Sequence, residues 1–324
     1  MTVSRRGLLG LGAAALLSGC SSGGGGNAGS GGGGGGGSGP GHANVAGLAV
    51  ADDAGLYLAQ SQKLFGKEKL SVGIQTLKQS TLAVPGMLRG EIDIDAGGNY
   101  VSFFQAHDKG TLKIKVIAEA CRSANGYFSC LAMPNSPLHG AADLPGRRVA
   151  VNLLNNIQTM TLNALVEAAG GDPKRVRYVQ IPFPQMAAAL QRGQVDAASL
   201  VEPFVTDARS TLGARVVVDQ GSGPVADLPL SGYFTTEAFA GKRPDTVAAF
   251  KRAITAAQHT AASDRTAVER ILPTYTQISA ATAARISLGD YPATPDPAKL
   301  QKVADLMLSQ GLLSRKLDVT TLLV

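Results

Sequence analysis

From about Asn44 the chain alternates short apolar runs of strand length with stretches whose apolar residues recur at helical spacing, the pattern of an α/β protein. Strands are predicted at 45–50, 70–76, 92–95, 113–119, 127–133, 147–151, 176–180, 195–199, 214–218 and 230–235. Helices are predicted between them at 54–64, 80–89, 100–108, 157–169, 185–192 and 203–211. From Pro244 the strand pattern stops, and helices are expected over 244–262, 264–274, 279–287 and 296–309, with Pro295 and Pro297 near the start of the last.

Two stretches share a layout. Residues 70–98 run strand, Gln79-Ser80-Thr81, helix, Arg89-Gly90-Glu91-Ile92-Asp93; residues 176–199 run strand, Pro182-Phe183-Pro184-Gln185, helix, Arg192-Gly193-Gln194-Val195-Asp196. In each, Gly ends the helix in the left-handed conformation and Asp opens a buried strand whose carboxy end faces a crevice. Two lobes of related topology follow from this repeat.

The amino terminus departs from the pattern. Residues 1–20, MTVSRRGLLGLGAAALLSGC, have a basic start and then an apolar stretch too short to span a bilayer, which predicts an export signal over 1–19. Ser4-Arg5-Arg6-Gly7-Leu8-Leu9 resembles the twin-arginine signature, with general secretion as the alternative route. Leu17-Ser18-Gly19-Cys20 resembles the bacterial lipobox, which makes Cys20 a lipidation site. Residues 20–43 are rich in Gly and Ser, bury nothing, and are expected to be a disordered tether. Export, lipid and tether together describe a domain held at the outer face of the cytoplasmic membrane.

Composition narrows the function classes. Trp is absent and aromatics make up 5% of the chain, which disfavours a stacking platform. The net charge is +6, of which Arg5 and Arg6 leave with the signal, and the remaining Lys and Arg are scattered, so no nucleic-acid partner is expected. His42, His107, His139 and His259 have no metal-ligand spacing, and Gly-x-Ser-x-Gly, Walker A and dinucleotide motifs are absent as credible units. No metal, no cofactor and no catalytic residue is assigned. Cys121 and Cys130 bracket Asn125-Gly126 symmetrically; in a two-residue type I′ hairpin they would face each other at a non-hydrogen-bonded pair. A Cys121–Cys130 disulfide and two reduced, half-buried thiols on neighbouring strands both remain open.

Tyr57-Leu58-Ala59, Leu64-Phe65, Leu88-Arg89-Gly90-Glu91-Ile92-Asp93-Ile94, Asp143-Leu144-Pro145-Gly146-Arg147-Arg148-Val149, Gly193-Gln194-Val195-Asp196-Ala197-Ala198 and Glu202-Pro203-Phe204 occur in a telling order. In that order and spacing they resemble the ABC-transporter substrate-binding proteins of the nitrate, sulfonate, taurine and thiamine-pyrimidine-precursor type, over nearly all of residues 45–310. The resemblance implies a periplasmic-binding-protein type II architecture: two α/β lobes, mixed sheets flanked by helices, and a ligand cleft between them. Lobe one is then 44–130 plus 231–324, and lobe two 131–230. The run Asn152-Leu153-Leu154-Asn155-Asn156 departs from the small loop common in that family.

Helix starts at the carboxy ends of strands nominate the cleft residues. Gln79, Ser80 and Thr81, then Gly97, Gly98, Asn99 and Tyr100, come from lobe one; Asn155, Asn156, Gln158 and Thr159, then Glu202 and Pro203, come from lobe two. Each polar residue alone is equally an ordinary helix cap. Glu202 resembles the family's cleft glutamate, Arg122 is the candidate cation for an anionic solute, and Tyr57, Tyr233 and Phe183 are candidate apolar walls. The resemblance implies a monomeric, non-enzymatic carrier that delivers a small organic solute or oxyanion to a permease and its ATPase. An enzyme on the same two-lobed fold, or a sensor domain for a membrane partner, are the competing readings.

Overall fold

The computed structural model describes residues 41–324; the expected signal, Cys20 and the tether up to residue 40 lie outside the described residues. Among the described residues ten strands form, in the order β1 (His42–Leu48), β2 (Ser71–Leu77), β3 (Ile94–Asn99), β4 (Ile114–Arg122), β5 (Phe128–Ala132), β6 (Arg148–Val151), β7 (Arg177–Gln180), β8 (Ala197–Val201), β9 (Arg215–Asp219) and β10 (Pro229–Thr236). They pair into two five-stranded mixed sheets, β2-β1-β3-β10-β4 and β7-β6-β8-β5-β9. In the first, β1 runs parallel to β2 and β3 while β10 runs antiparallel to β3 and β4; in the second, β6 runs parallel to β7 and β8 while β5 runs antiparallel to β8 and β9. Each sheet with its helices is a lobe, and the two lobes repeat one topology.

The Arg-Gly-x-x-Asp repeat has a structural meaning. Gly90 and Gly193 close their helices at φ +72° and +66°, the left-handed region that glycine enters without penalty. The Asp93 carboxylate then accepts from Asn44 N at the start of β1, and the Asp196 carboxylate accepts from Arg148 N at the start of β6, both at 2.8 Å. Each Asp therefore fixes the register of a parallel pair at the end of the sheet away from the cleft. The inner strands β3, β5, β8 and β10 are buried along nearly their whole length, β5 and β8 without an exposed residue. Edge strand β2 alternates exposed and half-buried positions.

Several expectations shift. The tether ends before residue 43, because His42 and Ala43 already pair with Ser71 and Val72 in β1. The predicted helix over 279–287 shrinks to Ala280–Ala283. Beyond it the backbone leaves the helical path: Ser287 N donates to the Glu202 carboxylate, and Arg122 and Asp290 pair as a short bridge. The Asn125-Gly126 turn forms, with Tyr127 N donating to Ala124 O, but only Gly126 has positive φ. A type I′ hairpin needs positive φ at both central residues. The chain therefore runs on instead of folding back, and β4 joins the first sheet while β5 joins the second. Cys121 and Cys130 sit in different sheets, buried and free, so the disulfide is not formed.

The chain passes between sheets in the segments 123–127 and 220–228, which places β5 in lobe two and the start of β10 in lobe one. The two crossings run side by side. Ser123 N donates to Leu228 O at 2.9 Å, and a Cβ on Gly221 would stand 2.6 Å from Ala124 O. The helices after Pro244 pack on lobe one; Gln258, from the long helix Pro244–Ser263, donates to Glu119 O and Ala120 O of β4. The helix Pro297–Ser309 ends against lobe two, where Gln310 donates to Met160 O at 2.9 Å.

Candidate functional site

Where the carboxy ends of the strands of both sheets face each other, a cavity of about 50 Å³ lies between the lobes, several times the volume one buried water needs. Lobe one lines it with Asp52, Ser80, Gly97 and Asn99, together with Ser231 at the start of β10; lobe two contributes Asn152, Asn156, Gln158 and Phe183. Leu48, Val50, Ile157, Val201 and Leu230 supply the apolar surface.

The polar wall of lobe two is built on the start of helix Ile157–Ala168. The Asn156 side-chain Oδ1 accepts from Gln158 N at 3.1 Å and Thr159 N at 3.3 Å, satisfying amides the helix itself leaves free. Gln158 is buried, its Oε1 accepting from Asn152 N at 2.7 Å and from Asn156 Nδ2 at 3.0 Å. Its Nε2 donates to Ser199 O at 2.6 Å, which ties the helix start to β8. Asn152 lines the cavity, and its Oδ1 is buried with no hydrogen-bond partner. On lobe one, Asn99 caps helix Tyr100–Asp108 by accepting from Ser102 N at 2.9 Å, and its Nδ2 donates to Ser80 Oγ.

Asp52 follows β1 and is buried. Its carboxylate accepts from Ser231 Oγ and from Tyr127 Oη, one hydroxyl from each of the two chain segments that enter β10 and β5. Burial pushes this carboxyl above its usual range, and the two hydroxyl donors pull it partly back. Asp53 and Asp95 lie deeper, and burial raises both well above the usual carboxylate range. Gly97 and Gly98 make room for them: a Cβ on the first would run into the Asp53 carboxylate and one on the second into that of Asp95. These glycines serve the packing of the acids, and only Gly97 reaches the cavity wall.

Of the residues nominated from sequence, Ser80, Asn99, Asn156 and Gln158 meet at the cavity, as does Phe183. Gln79 stands at the rim and donates across the cleft to Asn152 O at 2.6 Å, while Thr81 is half-buried beside it and does not line the cavity. Asn155 O accepts from Gln105 across the lobes, and Asn155 and Thr159 line a separate groove toward Gln310. Tyr100 and Tyr233 are fully buried; Tyr100 packs on Phe104 and Phe234, and Tyr233 on Phe250. They are core residues, not cleft walls. Tyr57 stacks on Tyr275 with ring centroids 3.7 Å apart and likewise stays out of the cavity.

Arg122 is not available to an anion. It grips Glu119 with two hydrogen bonds of 2.9 and 3.1 Å and opens on another groove beside Arg265 and Tyr291. Glu202 is 1% exposed, and its carboxylate is consumed by Thr206 N, Thr206 Oγ1 and Ser287 N. It takes a first-turn amide of the helix Phe204–Leu212 and holds the segment after Ala283, a clamp between lobes in place of a ligand contact. Asp52 and Asn152 went unnominated. The signal for Asp52 was present: two consecutive acids directly after an apolar strand have no surface to face.

Residues 51–266, more than half of the chain, match the family described as NMT1/THI5 like. The chain belongs to this family. No match is found among curated proteins. The NMT1/THI5-like chain is similar in structure to the alkanesulfonate-binding protein SsuA from Xanthomonas axonopodis pv. citri bound to MOPS, with a TM-score of 0.75 and 17% identity over 89% of this chain and 99% of that one. The periplasmic aliphatic sulphonate binding protein SsuA from Escherichia coli gives a TM-score of 0.69 at 20% identity, covering 87% and 97%. The periplasmic nitrate-binding protein NrtA from Synechocystis PCC 6803 gives 0.71 at 14%, covering 86% and 84%. At these identities the likeness is one of fold: two mixed sheets flanked by helices, the periplasmic-binding-protein type II architecture expected from the sequence.

Proposed function

We propose that the chain is an extracytoplasmic solute-binding protein that takes a small solute between its lobes and presents it to an ABC importer, a permease with its ATPase. The observation that carries this reading is the interlobe cavity, whose polar wall comes from both lobes and is set at the starts of helices. Gln79 bonded to Asn152 O, Gln105 bonded to Asn155 O and Gln310 bonded to Met160 O bridge the lobes around it, as a closed state requires. Solute contacts in both lobes stabilise closure over the open form, and that difference in affinity couples binding to a shape a permease can read. Sulfonate-, sulphonate- and nitrate-binding proteins are among the structural neighbours, which supports the same division of labour here.

The reading includes export, by the twin-arginine route, and anchoring of a monomer through lipid on Cys20, with the Gly/Ser stretch as tether. It is a carrier and not an enzyme. Burial pushes the Cys130 thiol up to about 12 and raises that of Cys121 well above its usual value, so neither supplies a thiolate. Among the described residues no three His, Cys, Asp or Glu side chains gather to hold a metal ion.

A thermal-shift screen of the full chain against small amines, amino acids, sulfonates, nitrate, pyrimidines and flavins tests the reading, with X-ray scattering on each hit. A true solute raises the melting temperature by several degrees and contracts the particle. Turnover of a hit, or hits that leave the lobes unmoved, would sink the carrier assignment. Loss of radiolabel from membranes after Cys20→Ala, in cells fed labelled fatty acid, tests the anchor.

A further inference from the structure

Among the described residues the cavity wall carries one ionisable side chain, Asp52, and no Lys, Arg or His. Four side-chain donors of the wall are directed within it: Asn156 Nδ2 to Gln158, Gln158 Nε2 to Ser199, Asn99 Nδ2 to Ser80, and Ser231 Oγ to Asp52, while the Asn152 amide and the Ser80 hydroxyl remain as uncharged donors. The charge on the wall belongs to an acceptor. A carboxylate offers about four lone-pair sites, of which two uncharged hydroxyls occupy two, and Asn152 Oδ1 is buried with none occupied. An oxyanion in this cavity would meet a like charge with no counter-ion, at a cost that burial makes large.

We propose that the solute is a small cation bearing N–H donors, a protonated amine, amidinium or guanidinium, with Asp52 as its counter-ion and Asn152 as second acceptor. The inference rests on the solute-binding reading of the cleft. It separates this chain from neighbours of the same fold whose names specify sulfonate or nitrate. Burial of Asp52 disfavours its charged form, and a cation against it offsets that cost, so cation binding and the placement of Asp52 support each other. Arg122, the cation that would have argued for an anionic solute, is held by Glu119 outside this cavity.

Isosteres that differ in charge provide the test, read by calorimetry and ligand-observed NMR on the full chain: methylguanidinium, N-methylurea and nitrate, then ethylammonium and ethanesulfonate. The cations should bind at least about tenfold tighter than N-methylurea, the anions without saturation up to about 10 mM. Asp52→Asn should weaken the cations by about tenfold or more while leaving N-methylurea nearly unchanged. Asn152→Asp, which puts an acceptor there whichever way the amide is turned, should tighten the cations, and it reports even where the Asp52 variant fails to fold. Saturable binding of nitrate or ethanesulfonate would overturn the cation assignment and leave the solute-binding reading standing. No binding by any member, or no gain on Asn152→Asp, overturns the assignment as well. Failure of the wider screen in addition removes both.

Discussion

Glu202 separates a structural clamp from a ligand contact, and its removal has a size that can be worked out. The carboxylate takes Thr206 N at 3.0 Å, Thr206 Oγ1 at 2.7 Å and Ser287 N at 3.1 Å, in a site 1% exposed. Glu202→Ala deletes the acceptor of Thr206 N in the first turn of helix Phe204–Leu212, a cap-like bond worth about 1 kcal/mol. It also leaves the part-buried Ser287 N without its partner, a further loss of about 1–3 kcal/mol. A total near 3 kcal/mol corresponds to a fall of about 5 °C in melting temperature for a folded part of this size. Glu202→Gln keeps the shape and one acceptor oxygen but sets an NH₂ against a donor, costing about 1–2 kcal/mol. Burial is the largest influence on Glu202 and pushes its pKa up; the three hydrogen bonds pull it down by less. The fold therefore holds a proton that the unfolded chain has already released. The wild type loses stability as pH rises from the ordinary glutamate value through the raised one, and the Gln variant lacks that contribution. Urea denaturation by circular dichroism at several pH values, with solute binding measured alongside, decides the matter. Glu202→Ala within about 1 kcal/mol of wild type, with solute binding abolished, would refute the clamp and return Glu202 to the solute.

Three further outcomes are expected. Cys121 and Cys130 should react with a thiol reagent only on unfolding, and reductant should not change the melting temperature, because the two sit in separate sheets and are buried; mass spectrometry of labelled peptides detects any disulfide that contradicts this. Gly221→Ala should destabilise by about 1–3 kcal/mol, since its Cβ would press on Ala124 O where the two interlobe crossings touch, and a neutral variant in urea melts would show that the crossings yield. Asp52, Asp53, Asp95 and Glu119 share with Glu202 a pKa raised by burial, so melting temperature should fall from about pH 5 to pH 8, and a steady rise over that range would contradict it.

The elements were legible because their signals are local. Apolar runs of strand length and helical periodicity depend on neighbours a few residues away, and ten strands appear within a few residues of their predicted places. The same holds for part of the cavity wall. Ser80, Asn99, Asn156 and Gln158 stand at helix starts, and a helix start at the carboxy end of a strand is a feature of short sequence range.

Local pattern therefore carries the class of fold, its internal repeat and the stretches that border a cleft. Tertiary structure alone decided which side chains face that cleft. Tyr100 and Tyr233 look like cleft aromatics until β10 packs against β3 and β4 and turns both into the core. Asn125-Gly126 promises a hairpin, but β4 and β5 find their partners in β10 and in β8 with β9, segments far along the chain, and so part into different sheets. Glu202 meets Ser287 and Arg122 meets Glu119 through such distant or face-dependent contacts, which removes both from the solute and leaves Asp52 as the charge on the cavity wall. The physical reason is that a side chain's solvent, partner and charge state are set by neighbours from other elements, information that no local pattern carries.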